Sequence, residues 1–182
     1  MINKLNSNII QSRRSTYPRD FNGNRIKDSV IKEILENANH APSHRMTQPW
    51  FFKIFCDHKK TSLANAIINT NPHSSESFKK KLFENFEQTS HLICICMKRH
   101  KTIVPEWEEI AATSMSVQNI WLSIVNSNIG GYWSTPKYAE NLNEFLKISA
   151  DERCLGFFYL GIVNSFCIRN ISRNNISDKT TW

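Results

Sequence analysis

The stretch HAPSHRMTQPWFFKIF, residues 40–55, ends one element and begins another almost at once. Pro42 lacks an N–H and disfavours helical geometry in Ala41. A helix arriving along Asp28 to Asn39, whose Val30, Ile31, Ile34, Leu35 and Ala38 share one face, must therefore stop near His40. Asp28 stands where it can cap that helix. Trp50 to Cys56 is short, aromatic and apolar and closes on Asp57 and His58, which predicts a strand. Between the two lies a polar loop holding His40, His44, Arg45 and a second proline, Pro49.

Outward from this loop the same reading continues. Leu5 and Ile9 mark a first helix, and Arg13, Arg14 and Ser15 of QSRRSTY follow it directly. Leu63, Ala64, Ile67 and Ile68 suggest another helix, Phe78, Leu82 and Phe83 a further one, and Leu92 to Met97 a buried strand. Trp107 to Ser127 is the longest periodic segment, with Ile110, Ala111, Met115, Gln118, Trp121, Leu122 and Val125 at helical spacing. It is apolar around most of its circumference, which predicts a central helix, in the core or across a subunit interface. Gly130 and Gly131 are expected to supply the positive φ that ends it, placing GGYWSTP on a tight turn. A short helix from Ala139 to Leu146 and a strand from Leu155 to Val163 complete a pattern without regular βα alternation, so the expected class is α+β.

A chain of 182 residues with 40% hydrophobic and 21% charged content suits one domain, 1–182, with residues 166–182, rich in Asn, Ser and Arg, as an extended C-terminal arm. Five cysteines without a CxxC, and no apolar leader, predict reduced thiols and a cytoplasmic protein. The apolar run Ile120 to Val125 is too short to cross a bilayer. A net charge of +7 favours anionic ligands in general. The clusters Lys79, Lys80, Lys81 and Lys98, Arg99, His100, Lys101 lack interleaved aromatics, so they read as solvated surface rather than a nucleic-acid platform.

Neither GxGxxG nor GxxxxGK[ST] occurs, which excludes a dinucleotide turn of that type and a P-loop. No HExxH occurs, and Pro42 keeps His40 and His44 off one helix, so no metal site is expected. Cys94 and Cys96 share a strand face and read as small core residues. Guanidinium forks and a hydroxyl at Arg13, Arg14 and Ser15 suit an oxyanion such as a phosphate or a ribityl chain, although arginines also suit plain surface. Trp133, Ser134 and Thr135 of GGYWSTP combine an aromatic with two hydroxyls, a set that also serves packing and turning. Glu106, Glu108 and Glu109 suit the start of a helix through its dipole; a lid or substrate contact at Trp107 is the alternative.

Taken together, RRS from Arg13, APSHRMTQPW from Ala41, VPEWEE from Val104, GGYWST from Gly130 and GFFYLGI from Gly156 resemble the nitroreductase family of FMN-dependent oxidoreductases, in the family's order and over nearly the whole chain. The length and the histidine of APSH are similar to its small bacterial members. The resemblance implies an α+β fold with an antiparallel or mixed central sheet flanked by helices, in an intertwined homodimer with shared flavin sites. It implies FMN as cofactor and NAD(P)H as co-substrate, with hydride passing through flavin to nitroaromatic or quinone-type small-molecule acceptors. Arg13, Arg14, Ser15, Trp133, Ser134 and Thr135 would then bind flavin from one chain, and His40, His44 and Met46 from the other. No protein nucleophile or general base is required, so no catalytic residue is assigned. Met46 stands where many relatives have asparagine, Ser134 where they often have arginine, and Arg169 or Arg173 is a candidate replacement cation. A degenerate relative with a non-enzymatic flavin- or nucleic-acid-binding role is the alternative.

Overall fold

A strand that is apolar on both faces belongs inside a sheet, where each face meets its own layer of side chains. The run from His91 to Met97 is buried at every position and forms such an inner strand. The computed structural model describes residues 3–166 and 172–182. Its elements are α1 (Lys4–Ser12), α2 (Asp28–Asn39), β1 (Trp50–Cys56), α3 (His58–Asn69), α4 (Glu76–Gln88), β2 (His91–Lys98), α5 (Glu106–Ser123), β3 (Ile129–Ser134), α6 (Asn143–Leu146) and β4 (Glu152–Ile162). Short 3-10 turns lie at Pro18–Asp20, His44–Met46, Lys137–Leu142 and Ile176–Lys179.

The strands form one sheet in the order β1-β2-β4-β3, every pairing antiparallel. The α+β expectation holds, and the sheet, expected as antiparallel or mixed, is antiparallel throughout the described residues. Because side chains alternate along a strand, Ile93 and Ile95 face one layer and Leu92, Cys94 and Cys96 the other. The first layer is α2 and α5, with Ile31, Ile34, Val117 and Ile120 meeting Phe158 and Leu160. The second is α3, α4 and the segment through α6, with Leu63, Ile67, Leu82 and Phe86 meeting Phe157 and Tyr159. Cys94 and Cys96 are core residues beside Cys154; burial first and then that thiol raise the pKa of Cys94, and the thiol first and then burial that of Cys96.

Four local expectations are corrected. Lys27, whose side chain makes no capping bond, and not Asp28 occupies the N-cap position of α2. Asp28 is its first residue and spends its carboxylate on Arg25 at 2.7 Å and on His91 Nε2 at 3.4 Å. His91 Nδ1 in turn meets Ser90 Oγ at 2.8 Å, and that oxygen accepts the Ile26 N–H at 2.7 Å. The central helix ends at Ser123 rather than Ser127, and the left-handed residue beyond it is Asn126, at φ 63°. Gly130 and Gly131 form no turn: they open β3, and their φ angles are not positive. They are small because the strand is crowded, since a Cβ on Gly131 would lie 2.6 Å from the Phe158 ring. Finally, of the two settings expected for α5, burial in the core of its own chain is not found, for Trp107 is 67% exposed and Ile110 and Met115 lie on the same open face.

Of the expected C-terminal arm, residues 167–171 with Arg169 lie outside the described residues. Residues 172–182 are exposed and contain the turn Ile176–Lys179. No helix among the described residues is long and apolar enough to cross a membrane.

Candidate functional site

The chain leaves α1 through Arg13, whose own backbone N–H returns to Ile9 O and closes the helix. The next residues run beside β3: Thr16 N–H donates to Gly131 O at 2.9 Å, and the Tyr17 and Tyr132 rings lie 4.6 Å apart. This stitching brings Arg13, Arg14 and Ser15 to the strand that carries Trp133 and Ser134. Trp121, in the last turns of α5, completes the group, because its Nε1–H donates to the same Gly131 carbonyl at 3.0 Å. The Arg13 guanidinium lies 4.8 Å over the Trp121 ring, within cation–π range.

Electrostatically this end of the molecule is one-sided. Among the described residues Arg14 bonds only the backbone carbonyls of Gln11 and Arg13. Partial burial first, then the charges of Arg173 and Arg14, hold the Arg13 guanidinium below its ordinary pKa. Among the described residues no carboxylate pairs with Arg13, Arg14 or Arg173, whereas Arg25, Arg99 and Arg153 each have two. Trp133 is half-buried, and its Nε1 lies inside without a hydrogen-bond partner among the described residues. A buried donor left unpaired costs about 1–3 kcal/mol. Three cations and one orphaned donor around a strand end suit an anionic, acceptor-rich ligand. Ser15 and Ser134 are partly buried nearby in the chain, and Thr135 is exposed.

The other predicted residues lie elsewhere. His40 is exposed, 3.8 Å from Glu36. The loop behind it is held in an unusual shape, with Arg45, Met46 and Gln48 all at positive φ, between 43° and 55°. Such angles are uncommon outside glycine and persist only where surrounding contacts enforce them. Here the ties are Gln48 N–H to Ser43 Oγ at 3.1 Å, Trp50 Nε1–H to Asn39 Oδ1 at 3.1 Å, and His44 Nδ1 to Glu108 Oε2 at 2.5 Å. Met46 projects from the loop, 72% exposed.

Glu108 belongs to the first turn of α5 and Trp121 to its last turns. They stand thirteen positions apart, roughly 20 Å at ~1.5 Å per residue. One chain therefore sets Arg13, Arg14, Ser15 and Trp133 at one end of its central helix and His44 at the other. The first turn of α5 is itself fixed by charge: Glu106 pairs with Arg153 of β4, and Glu109, 1% exposed, pairs with Arg99 and with His100 Nδ1 at 2.6 Å. Sequence reasoning passed over Trp121 as packing and Glu108 as a dipole match. An indole preceding GGYW by a short connection was the available signal for the first; nothing local marked the second.

The model of the Nitroreductase family matches residues 10–162. YfhC of Bacillus subtilis, which carries an NAD(P)H nitroreductase name, is 27% identical over 160 residues, covering 84% of this chain and 81% of the relative. YdjA of Escherichia coli, named in the same way, is 24% identical over 139 residues, covering 72% and 74%. Among solved structures, a nitroreductase-like family protein from Bacillus cereus superposes with a TM-score of 0.85 at 24% identity, covering 97% of this chain and 94% of that one. The FMN-dependent nitroreductase NfnB of Mycobacterium smegmatis, solved with NADPH, gives 0.79 at 16% identity and covers 98% of both chains.

Proposed function

The chain belongs to the nitroreductase family, and from that membership we propose that it is an FMN-dependent oxidoreductase, carrying hydride from NAD(P)H to nitroaromatic or quinone-type acceptors as a homodimer with shared sites. The observation that carries the reading is the separation of the donor set along α5. Residues that suit one flavin stand roughly 20 Å apart in a single chain, by the rise of the helix between them. A two-fold partner whose α5 runs antiparallel to the first brings the start of one helix beside the end of the other. The exposed stripe of Trp107, Ile110 and Met115 supplies apolar surface for that contact.

The residues present fit FMN. Arg13 and Arg14, with Arg173 beside them, would hold the phosphate, and Ser15 the ribityl and pyrimidine portions. Ser134 and Thr135 would reach the flavin from the same chain, and the unpaired Trp133 N–H offers a donor to its acceptor-rich edge. His40, His44 and Met46 would come from the partner subunit, with Met46 adding apolar cover. When bound, FMN supplies the two-electron chemistry; the chain's task is to orient it, neutralise its charge and leave one face open to small molecules. Concentrated positive charge also favours the reduced cofactor, which is more anionic than the oxidised one.

Sedimentation and an absorption spectrum test this together. The expected result is a dimer that binds FMN and oxidises NAD(P)H when given a nitroaromatic or a quinone. A monomer, or a dimer that refuses added FMN, overturns it.

A further inference from the structure

Three carboxylates in the first turn of α5 each take a cation or ring from a different part of the chain. Glu106 reaches Arg153 of β4, Glu109 the Arg99–His100 segment after β2, and Glu108 the loop between α2 and β1. The first two pairs join the helix to the sheet. The third joins it to a loop whose backbone is strained at Arg45, Met46 and Gln48.

From this geometry, and resting on the flavin reading above, we infer that Glu108 is a positioning residue, which fixes the ring of His44 so that Nε2 is the nitrogen presented at the cofactor site.

A carboxylate only accepts hydrogen bonds, so the 2.5 Å contact with Oε2 requires the hydrogen on Nδ1. Among the described residues nothing else bonds to that ring, and its side chain is otherwise open. Nε2 is thus the free nitrogen, and its hydrogen-bonding character follows from what Nδ1 does, as in other orienting carboxylate–histidine pairs. Without Glu108 the ring would be free to turn and to move its hydrogen to Nε2, the form an unconstrained imidazole prefers. The loop would also lose the hydrogen bond that ties it to α5, leaving the apolar contact of Ala41 with Ala112. Glu108 is suited to the task because its helix is itself anchored on both sides, by Glu106 and Glu109, so the carboxylate is held on a rigid element while the loop is not.

The test compares Glu108→Gln, whose side-chain oxygen still accepts a hydrogen bond, with Glu108→Leu, which cannot. Two readouts are taken: the His44 tautomer, from nitrogen-15 shifts of cofactor-free protein, and the FMN dissociation constant, from flavin fluorescence. The wild type and Glu108→Gln should keep the hydrogen on Nδ1 and bind FMN within about threefold of each other. Glu108→Leu should move it to Nε2 and weaken FMN by about tenfold or more, the scale of a charge-assisted hydrogen bond. The inference is overturned if Glu108→Leu keeps the wild-type tautomer, or if both variants weaken FMN equally. Should the wild type take up no FMN, the functional reading falls and the inference with it, whatever the tautomer shows.

Discussion

The guanidinium of Arg13 rests 4.8 Å above the indole of Trp121, which ties the end of the first helix to the end of the central one. The stack gives a fixed plane to a cation that has no carboxylate to hold it among the described residues. Lysine offers neither the plane nor the fork. Arg13→Lys is therefore expected to weaken FMN by about tenfold, a loss of about 1.4 kcal/mol, and Arg13→Ala by more. Flavin fluorescence titration of the two variants measures it, and a lysine variant equal to wild type would contradict the stacked assignment.

Trp133 carries the opposite balance. Its buried N–H has no partner among the described residues, so Trp133→Phe removes an unsatisfied donor and should stabilise the cofactor-free protein, by about 1 kcal/mol. The same change should weaken FMN. Denaturation and titration on one sample must move in opposite directions; a variant that is less stable and binds FMN normally would mean that the indole serves packing alone.

The open stripe on α5 predicts the assembly. Ile110→Asp places a charge at the centre of the proposed contact and should convert dimer to monomer in sedimentation runs. FMN uptake should fall with the dimer fraction, because half of the donor set leaves with the partner. Monomers that still take up FMN would show that one chain suffices.

Acid should loosen the fold through His91. Burial first of all pushes its pKa below the ordinary 6.5, while Asp28 opposes the shift and Arg25 adds to it. The folded state thus favours the neutral ring, and the unfolded state binds more protons just below that value. His91 therefore contributes fully above about pH 6.5, and its contribution falls as pH drops toward the folded pKa. Ser90, Asp28, Arg25 and Asp57 surround this ring, so urea midpoints for wild type and His91→Gln between pH 5 and 8 isolate its share. The wild type should show the steeper acid decline.

Arg99 and Glu109 form a pair with side chains 12% and 1% exposed. Arg99→Ala would leave the carboxylate buried with only His100 for company, at a cost of about 3 kcal/mol. Glu109→Gln, which removes the charge but keeps an acceptor, should cost less. Equal losses in denaturant unfolding would point to side-chain packing rather than charge.

Much of the architecture was legible where one residue type has a single physical consequence. Pro42 stopped α2 within a residue of the expected point, and the aromatic run from Trp50 gave β1 its observed bounds. Gly130 and Gly131 misled because glycine serves two needs, freedom in φ and absence of a side chain, and only the position of Phe158 tells which applies. Asp28 misled similarly, since a carboxylate near a helix start can cap the helix or pair across space. In the candidate site, the two predicted groups fell at two separate places. The contacts that organise them join residues 64 positions apart in His44–Glu108 and further still in Arg13–Trp121, separations at which no local pattern exists.

One helix carries both tie-points, so α5 acts as a ruler between two half-sites. Each added residue would turn everything beyond it by about 100° and advance it by about 1.5 Å. An insertion or deletion there would rotate Trp121 from beneath Arg13 while Glu108 stayed with His44. Away from these tie-points the residues that α5 displays can change, but its length cannot.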